Sequence, residues 1–408
     1  MNELIDLEEE IYKCSRCGLC QSVCPVYKAT LNECAVSRGK FNLLNGIVKE
    51  ELQLTPKIKK YLDLCTSCNA CRDFCPSQID AKEIFLAAKA KYHLDNKYSF
   101  KDKIFNSYFL FKLALITAKV FFHLYRLGQI DKVVKVLNPI IRKTGILGRR
   151  IFLLNTLIKK HKIENIKNKQ QKTETAIFFE GCFNKYLNSE SKEAVQKILA
   201  KTNIKLLKKD FECCGISYLN DGNIKAFKNI INKNLSQIDE NYNFIITDCA
   251  SCNAVLQKYH KYTNNNKAKT ISKNTISVLD LIKKIKFKTK SKLKISIHKP
   301  CHETFNLTDF IKNINGINYT EVEDYDKCCG FSGKFALQYE EISRKISKDK
   351  AQKYINAGTD IILTTCPACM LGLNQGLLEI QTKTKPTVMN LFVFLAEFCS
   401  IDTTSDYA

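Results

Sequence analysis

Nowhere in this chain is there an uninterrupted run of about 20 apolar residues, the length needed to span a bilayer. The N-terminus, Met1 to Tyr12, is acidic and has neither an apolar signal segment nor a twin-arginine pair, so the expected location is the cytoplasm. Also missing are the G-x-G-x-x-G dinucleotide fingerprint and the G-x4-G-K-S/T phosphate loop, and nothing suggests a flavin site within the chain. Acidic residues are in deficit: 41 Asp and Glu against 64 Lys and Arg leave a formal net charge of +23. Such an excess would suit nucleic acid, but the lysines are dispersed among asparagine and isoleucine. No helix-turn-helix, RRM or zinc-finger pattern accompanies them, so no nucleic-acid partner is expected. Contact with anionic lipid or an acidic protein is compatible with the charge.

Cysteine, by contrast, is abundant, with 20 among 408 residues. A chain of this length buries a large core and needs no disulfide scaffold. In a reducing compartment, clustered cysteines read as metal ligands or redox groups. Eight of them form two copies of C-x2-C-x2-C-x3-C-P: Cys14, Cys17, Cys20, Cys24 with Pro25, and Cys65, Cys68, Cys71, Cys75 with Pro76. This is the ferredoxin signature for 4Fe–4S cubanes, in which the cysteine beside proline ligates the other cluster. The expected sets are Cys14, Cys17, Cys20 and Cys75 for one cluster, and Cys65, Cys68, Cys71 and Cys24 for the other. A structural zinc site needs no triple i, i+3, i+6 spacing followed by C-P, twice over.

Ten of the remaining twelve cysteines are duplicated. Cys182, the doublet Cys213-Cys214-Gly215 and the pair Cys249, Cys252 recur as Cys301, Cys328-Cys329-Gly330 and Cys366, Cys369. The lone cysteines stand 119 residues apart, and both members of the C-x2-C pairs 117 apart, which marks an internal repeat. The chemistry of these ten stays open between iron–sulfur ligation, zinc sites and thiol/disulfide pairs. His298 and His302 flank Cys301 and are candidates to tune a centre there by hydrogen bonding, against an ordinary structural role. Cys34 and Cys399 have no partners in any motif and read as small buried hydrophobes.

The expected fold is α+β and multidomain. Residues 1–97 form an all-helical ferredoxin-type domain, with Ser37 capping a helix through Val48, Thr55-Pro56 starting another, and a third from Ala81 to Tyr92. Residues 98–172 are a basic amphipathic helical connector, in which Lys112, Lys119 and Arg126 form one stripe with His123 beside it. An interfacial helix pair on a membrane and a hairpin packed on protein are both open readings of that segment. Residues 173–288 and 291–400 are two α/β cysteine-rich domains. Strands are expected at Ala176 to Glu180, Phe244 to Thr247, Lys294 to His298 and Ile361 to Thr364, with helices from Ile224 to Ile238 and Tyr339 to Ala357. The halves close on Val278-Leu279-Asp280-Leu281 and Val388-Met389-Asn390-Leu391, taken as equivalents.

Two C-P ferredoxin runs followed by two C-C-G domains resemble the glycolate oxidase iron–sulfur subunit over nearly the whole chain. Val36-Ser37-Arg38-Gly39-Lys40, Gly181-Cys182, His298-Lys299-Pro300-Cys301-His302 and Cys328-Cys329-Gly330-Phe331-Ser332-Gly333 carry the likeness. The resemblance implies an electron-transfer subunit whose partner, an FAD-containing glycolate, D-lactate or other 2-hydroxyacid dehydrogenase subunit, oxidises the substrate. Electrons would then pass to quinone or another membrane acceptor, placing the protein peripherally on the inner face of the cell membrane. The cysteine-rich subunit of heterodisulfide reductase shares the C-C-G pair and implies a non-cubane 4Fe–4S cluster on each five-cysteine set. That likeness leaves a disulfide reductase as an alternative. A second alternative is the iron–sulfur, membrane-anchoring subunit of anaerobic glycerol-3-phosphate dehydrogenase.

Overall fold

Every strand of the two main sheets runs parallel to its neighbours, and both sheets carry their cysteines at the strands' C-terminal ends. The structure, a computed structural model, describes residues 3–95, 174–186, 189–238 and 241–401, with Leu113, Ile116 and Thr117. The expected connector at 98–172, with its basic stripe, otherwise lies outside the described residues. Among the described residues no helix is long and apolar enough to cross a membrane.

The N-terminal part is helical throughout, with no strand among residues 3–95. Its principal helices are Ser37–Val48, Pro56–Asp63 and Ala81–Asp95. Thr55 caps the second as expected, its hydroxyl accepting from the Ile58 amide, with Pro56 at the first helical position where a missing N–H costs nothing. The expectation for Ser37 is corrected. Val36 holds the cap position in extended geometry, and Ser37 is the first helical residue, buried with its hydroxyl bonded to the Cys71 thiol. Phe41, Leu44, Ile58, Leu62, Ile84 and Phe85 form this domain's core. Leu44 and Leu62 are completely buried, each stabilising the fold by about 2 kcal/mol.

The first cysteine-rich half is a four-stranded parallel sheet ordered β2-β1-β3-β4: β1 Glu174–Phe178, β2 Ile204–Leu207, β3 Phe244–Thr247, β4 Thr275–Ser277. The second half repeats it with three strands, β6 Ile295–Ile297, β7 Ile361–Thr364 and β8 Thr387–Asn390. The counterpart of β2 has shrunk to a bridge, where Ile295 exchanges backbone hydrogen bonds with Asn318 and Thr320. Strand β7 is buried at every position, as a parallel strand covered on both faces must be. The closing elements are equivalent, but three residues out of the expected alignment. Ser277 and Asn390 each end a strand and cap the next helix, so Val278 corresponds to Leu391 rather than Val388.

The two halves share one core. Helix Leu391–Phe398 is buried from Leu391 to Ala396 and packs against helix Ser189–Leu199 of the first half, where the Lys197 ammonium donates to the Ala396 carbonyl at 2.8 Å. The antiparallel pair β5 (Phe287–Thr289) and β9 (Cys399–Ile401) ties the link between halves to the end of the second.

The helical domain docks onto both halves. Val26, Ala35 and Leu64 pack with Phe335 and Ile346, and Leu86 enters the core of the first half. At Gly222 (φ +80°) an added Cβ would stand 2.7 Å from the Ala90 backbone nitrogen, so only glycine lets helix Ala81–Asp95 approach so closely. Beside it lies an ionic cluster drawn from all three parts. The Asp221 carboxylate meets Lys334 at 2.9 Å, Lys59 at 3.5 Å and His93 at 3.5 Å. Asp63 meets Lys59 at 2.6 Å and Lys89 at 3.4 Å.

Candidate iron–sulfur centres

Each ferredoxin run bends through two left-handed residues around its second cysteine. Arg16 and Gly18 (φ +59° and +85°) flank Cys17, and Ser67 and Asn69 (φ +56° and +64°) flank Cys68. This bend turns successive thiols toward one point and exposes backbone N–H groups to sulfur. The Cys65 thiol accepts from the Ser67 amide and the Cys24 thiol from the Tyr27 amide, both at 3.4 Å. The fourth cysteine of each run lies near thiols of the other run. Cys75 lines a recess with Cys14, Cys17 and Cys20, to which Cys71 also contributes. Cys24 sits in the electrostatic field of Cys65 and Cys68, and burial pushes its thiol up to about 11. Lys40, 1% exposed, faces Cys24 and donates to the Leu64 carbonyl at 2.7 Å, placing a buried cation beside that group. Four thiols, sulfur-directed amides and a compensating cation suit a buried, negatively charged iron–sulfur cluster.

In the cysteine-rich halves the local geometry repeats at the doublets and at the C-x2-C pairs. Cys249 and Cys366 occupy the cap positions of helices Ala250–Leu256 and Pro367–Leu378, directly after β3 and β7, with Cys252 and Cys369 in the first turns. The glycine of each doublet is left-handed, Gly215 at φ +87° and Gly330 at φ +80°, and its amide donates to the first thiol of the doublet at 3.4 Å. A Cβ at Gly215 would stand 2.6 Å from the Phe227 ring, and one at Gly330 2.8 Å from the Ile346 Cβ. The C-C-G signature therefore has two physical causes, backbone handedness and close approach of the following helix.

The five thiols of each set gather. In the first, Cys182 lies 3.5 Å from Cys213, and Cys213, Cys214, Cys252 and Cys249 follow one another as interacting neighbours. In the second, Cys301, Cys328, Cys329, Cys369 and Cys366 do the same. Bonds from neighbouring thiols hold Cys213, Cys329 and Cys366 well below the usual thiol range, while the bond to Cys213 and burial push Cys182 well above it. So dense a set of buried sulfurs, with no carboxylate among them, is a donor set for soft metal ions.

The sets also meet one another. Cys249 contacts Cys366 across the two halves, and Cys68 of the second ferredoxin run contacts Cys328. An unbroken series of sulfurs therefore runs from the ferredoxin domain through the second half into the first. Ser251 stands at this junction, its hydroxyl 3.6 Å from Cys366 and 3.2 Å from His302 Nδ1, while Lys82 lies 3.2 Å from His302 Nε2. Burial, then Lys82, pushes His302 down to about 3, so its ring is neutral. His298 is fully buried with a ring nitrogen near Cys329 and Cys369. Lys350, pulled down to about 8 by burial, lies in the field of Cys329 and Cys328. Sequence reasoning missed Lys350, Lys82 and Ser251. Only Ser251, between the cysteines of a C-x2-C pair, carried any local signal.

Comparison with known proteins agrees with this geometry. The family "4Fe-4S dicluster domain" matches residues 10–79, and the family "CCG: Cysteine-rich domain" matches residues 176–257 and 295–374. A probable glycolate oxidase iron-sulfur subunit of Bacillus subtilis (strain 168) is 21% identical over 405 residues, covering 91% of this chain and 90% of that protein. The glycolate oxidase iron-sulfur subunit of Escherichia coli (strain K12) is 21% identical over 391 residues, with 90% and 91% covered. Over nine tenths of its length this chain is similar to glycolate oxidase iron–sulfur subunits. The matched domains and the fold make it an iron–sulfur protein with one helical dicluster domain and two α/β cysteine-rich domains, as its cysteine spacing implied. A fumarate reductase (CoM/CoB) subunit of Methanothermobacter marburgensis is 27% identical over 226 residues, 53% of this chain and 45% of that protein.

Proposed function

We propose that this protein is the electron-transfer subunit of a glycolate, D-lactate or related 2-hydroxyacid dehydrogenase. It takes electrons from a partner FAD subunit and delivers them toward a quinone, working peripherally on the cytoplasmic face of the membrane. The observation that carries this reading is the series of contacting cysteines linking the ferredoxin domain to both cysteine-rich halves. Cys14, Cys17, Cys20 and Cys75 would hold one cubane, and Cys65, Cys68, Cys71 and Cys24 the other. Cys182, Cys213, Cys214, Cys249 and Cys252 would hold a third centre, and Cys301, Cys328, Cys329, Cys366 and Cys369 a fourth. Bound iron–sulfur clusters supply one-electron steps.

The protein's own part is placement and electrostatics. The Cys68–Cys328 and Cys249–Cys366 contacts bring the donor sets together, burial of Cys213, Cys214, Cys329 and both C-x2-C pairs keeps water out, and Lys40 and Lys350 offset negative charge. With no nucleotide or flavin motif in the chain, hydride chemistry falls to the partner.

The test is iron and zinc content per chain after anaerobic purification, with EPR of the reduced protein. About sixteen irons and no zinc are expected if all four sets hold 4Fe–4S clusters. About eight irons would confine clusters to the dicluster domain and overturn the extended path. Reduction by the flavoprotein with glycolate or D-lactate then tests the partner.

A second reading, a disulfide reductase, draws on one observation. The Cys249–Cys366 contact, with Ser251 and His302 beside it, is a paired-thiol junction between the two halves. Turnover of a disulfide by the isolated chain would support it.

A further inference from the structure

The cysteine-rich halves match in their thiols but differ three residues ahead of the lone cysteine. Phe179 stands there in the first half and His298 in the second. Their backbones are placed alike, since the Phe179 amide donates to the Ile246 carbonyl and the His298 amide to the Leu363 carbonyl, each at 2.8 Å. Phe179 is satisfied by packing, its ring 4.9 Å from that of Phe211. His298 is 0% exposed, and neither ring nitrogen has a hydrogen-bond partner of ordinary length. A buried imidazole with both nitrogens unused is costly, and it stands at a position where the repeat accepts phenylalanine.

What surrounds the ring gives those nitrogens a use. One lies with the Cys329 and Cys369 sulfurs, all three donor atoms within 4.8 Å of one another. The Tyr325 backbone lies beside the ring without making a hydrogen bond of ordinary geometry to it. A metal-bound histidine commonly donates its second nitrogen's proton to a backbone carbonyl.

We infer that His298 is a nitrogen ligand of the metal centre in the second cysteine-rich half, forming with Cys329 and Cys369 a mixed nitrogen–sulfur donor set that the first half lacks. The inference rests on the reading that this half holds a metal, cluster iron or zinc. Imidazole suits both. The two halves then carry unlike centres in matching folds.

The test uses the full chain, purified anaerobically and labelled with 15N-histidine, and reads pulsed EPR, metal content and zinc-edge X-ray absorption. With an iron centre, the label should alter a strong hyperfine coupling, of the size given by directly bound nitrogen, in one reduced signal. That coupling should vanish in His298→Phe and persist in His302→Gln. With a zinc centre, about one zinc per chain should show a nitrogen in its first shell, lost in His298→Phe. The wild-type measurement stands even if a variant fails to fold. A metal-loaded second half with only sulfur around its metal, or with only the weak coupling of a hydrogen-bonded ring, would overturn the inference while leaving the proposed function intact. About eight irons and no zinc would overturn both.

Discussion

Asp221 is the residue on which the docking of the three parts most depends, and Asp221→Asn tests that directly. Its carboxylate is 2% exposed and meets Lys334, Lys59 and His93, while the Lys89 ammonium donates to the neighbouring Asn220 carbonyl at 3.0 Å. Asp221→Asn removes the carboxylate that Lys334, Lys59 and His93 share while those groups stay in place. Truncating one partner of a buried ionic network costs about 3–5 kcal/mol, because the opposite charges keep their desolvation penalty. At 1.4 kcal/mol per factor of ten, local opening of helix Ile216–Asp221 should become about two to three and a half orders of magnitude more favourable. Native-state hydrogen exchange at Leu219, Gly222 and Asn223, whose amides close this turn, reads that change. The pH dependence follows from the sign of the shift. Burial opposes ionisation of Asp221, but His93, Lys59 and Lys334 outweigh it and hold the carboxyl well below its ordinary value. Its stabilisation is therefore complete above the unfolded value of about 4 and is lost as pH falls below it. Between about pH 5 and 3 the wild type should lose stability and Asp221→Asn should lose less. Less than tenfold loss of protection in the variant, or parallel acid profiles, would refute the assignment.

Three further outcomes are expected. Gly330→Ala places a Cβ 2.8 Å from that of Ile346 at φ +80°, and Gly215→Ala sets one against Phe227; each should cost about 2–4 kcal/mol from backbone handedness plus overpacking, read as a lower denaturation midpoint. Wild-type midpoints in both would show that the C-C-G glycines have another cause. Cys24→Ser should remove about four irons and one EPR-active centre, and loss of signal assigned to the first run's own cluster would contradict the crossover. Thr55→Ala should lower stability by about 1 kcal/mol through loss of the cap to Ile58, with iron content unchanged.

Where the chemistry depends on short spacing, the amino-acid sequence carried it. The C-x2-C-x2-C-x3-C-P runs, the C-C-G doublets and their duplication are local patterns, because loops of fixed length and handedness hold sulfur atoms at fixed separations. Strands β3 and β7 were legible at full length, being short apolar runs rich in isoleucine that end at a cysteine. Ser37 misled because serine favours cap positions, yet the chain reserves its hydroxyl for Cys71. The closing elements misled because apolar runs look alike in strand and helix, and the caps Ser277 and Asn390 decide the alignment. Tertiary structure alone decided that Cys68 meets Cys328, that Cys249 meets Cys366, that Asp221 gathers cations from three segments, and that His298 is buried beside two thiols. Those pairings join residues distant in the chain, and no local spacing encodes them. They exist because the helical domain and both sheets bury their apolar faces against one another, and that burial sets which polar groups come face to face.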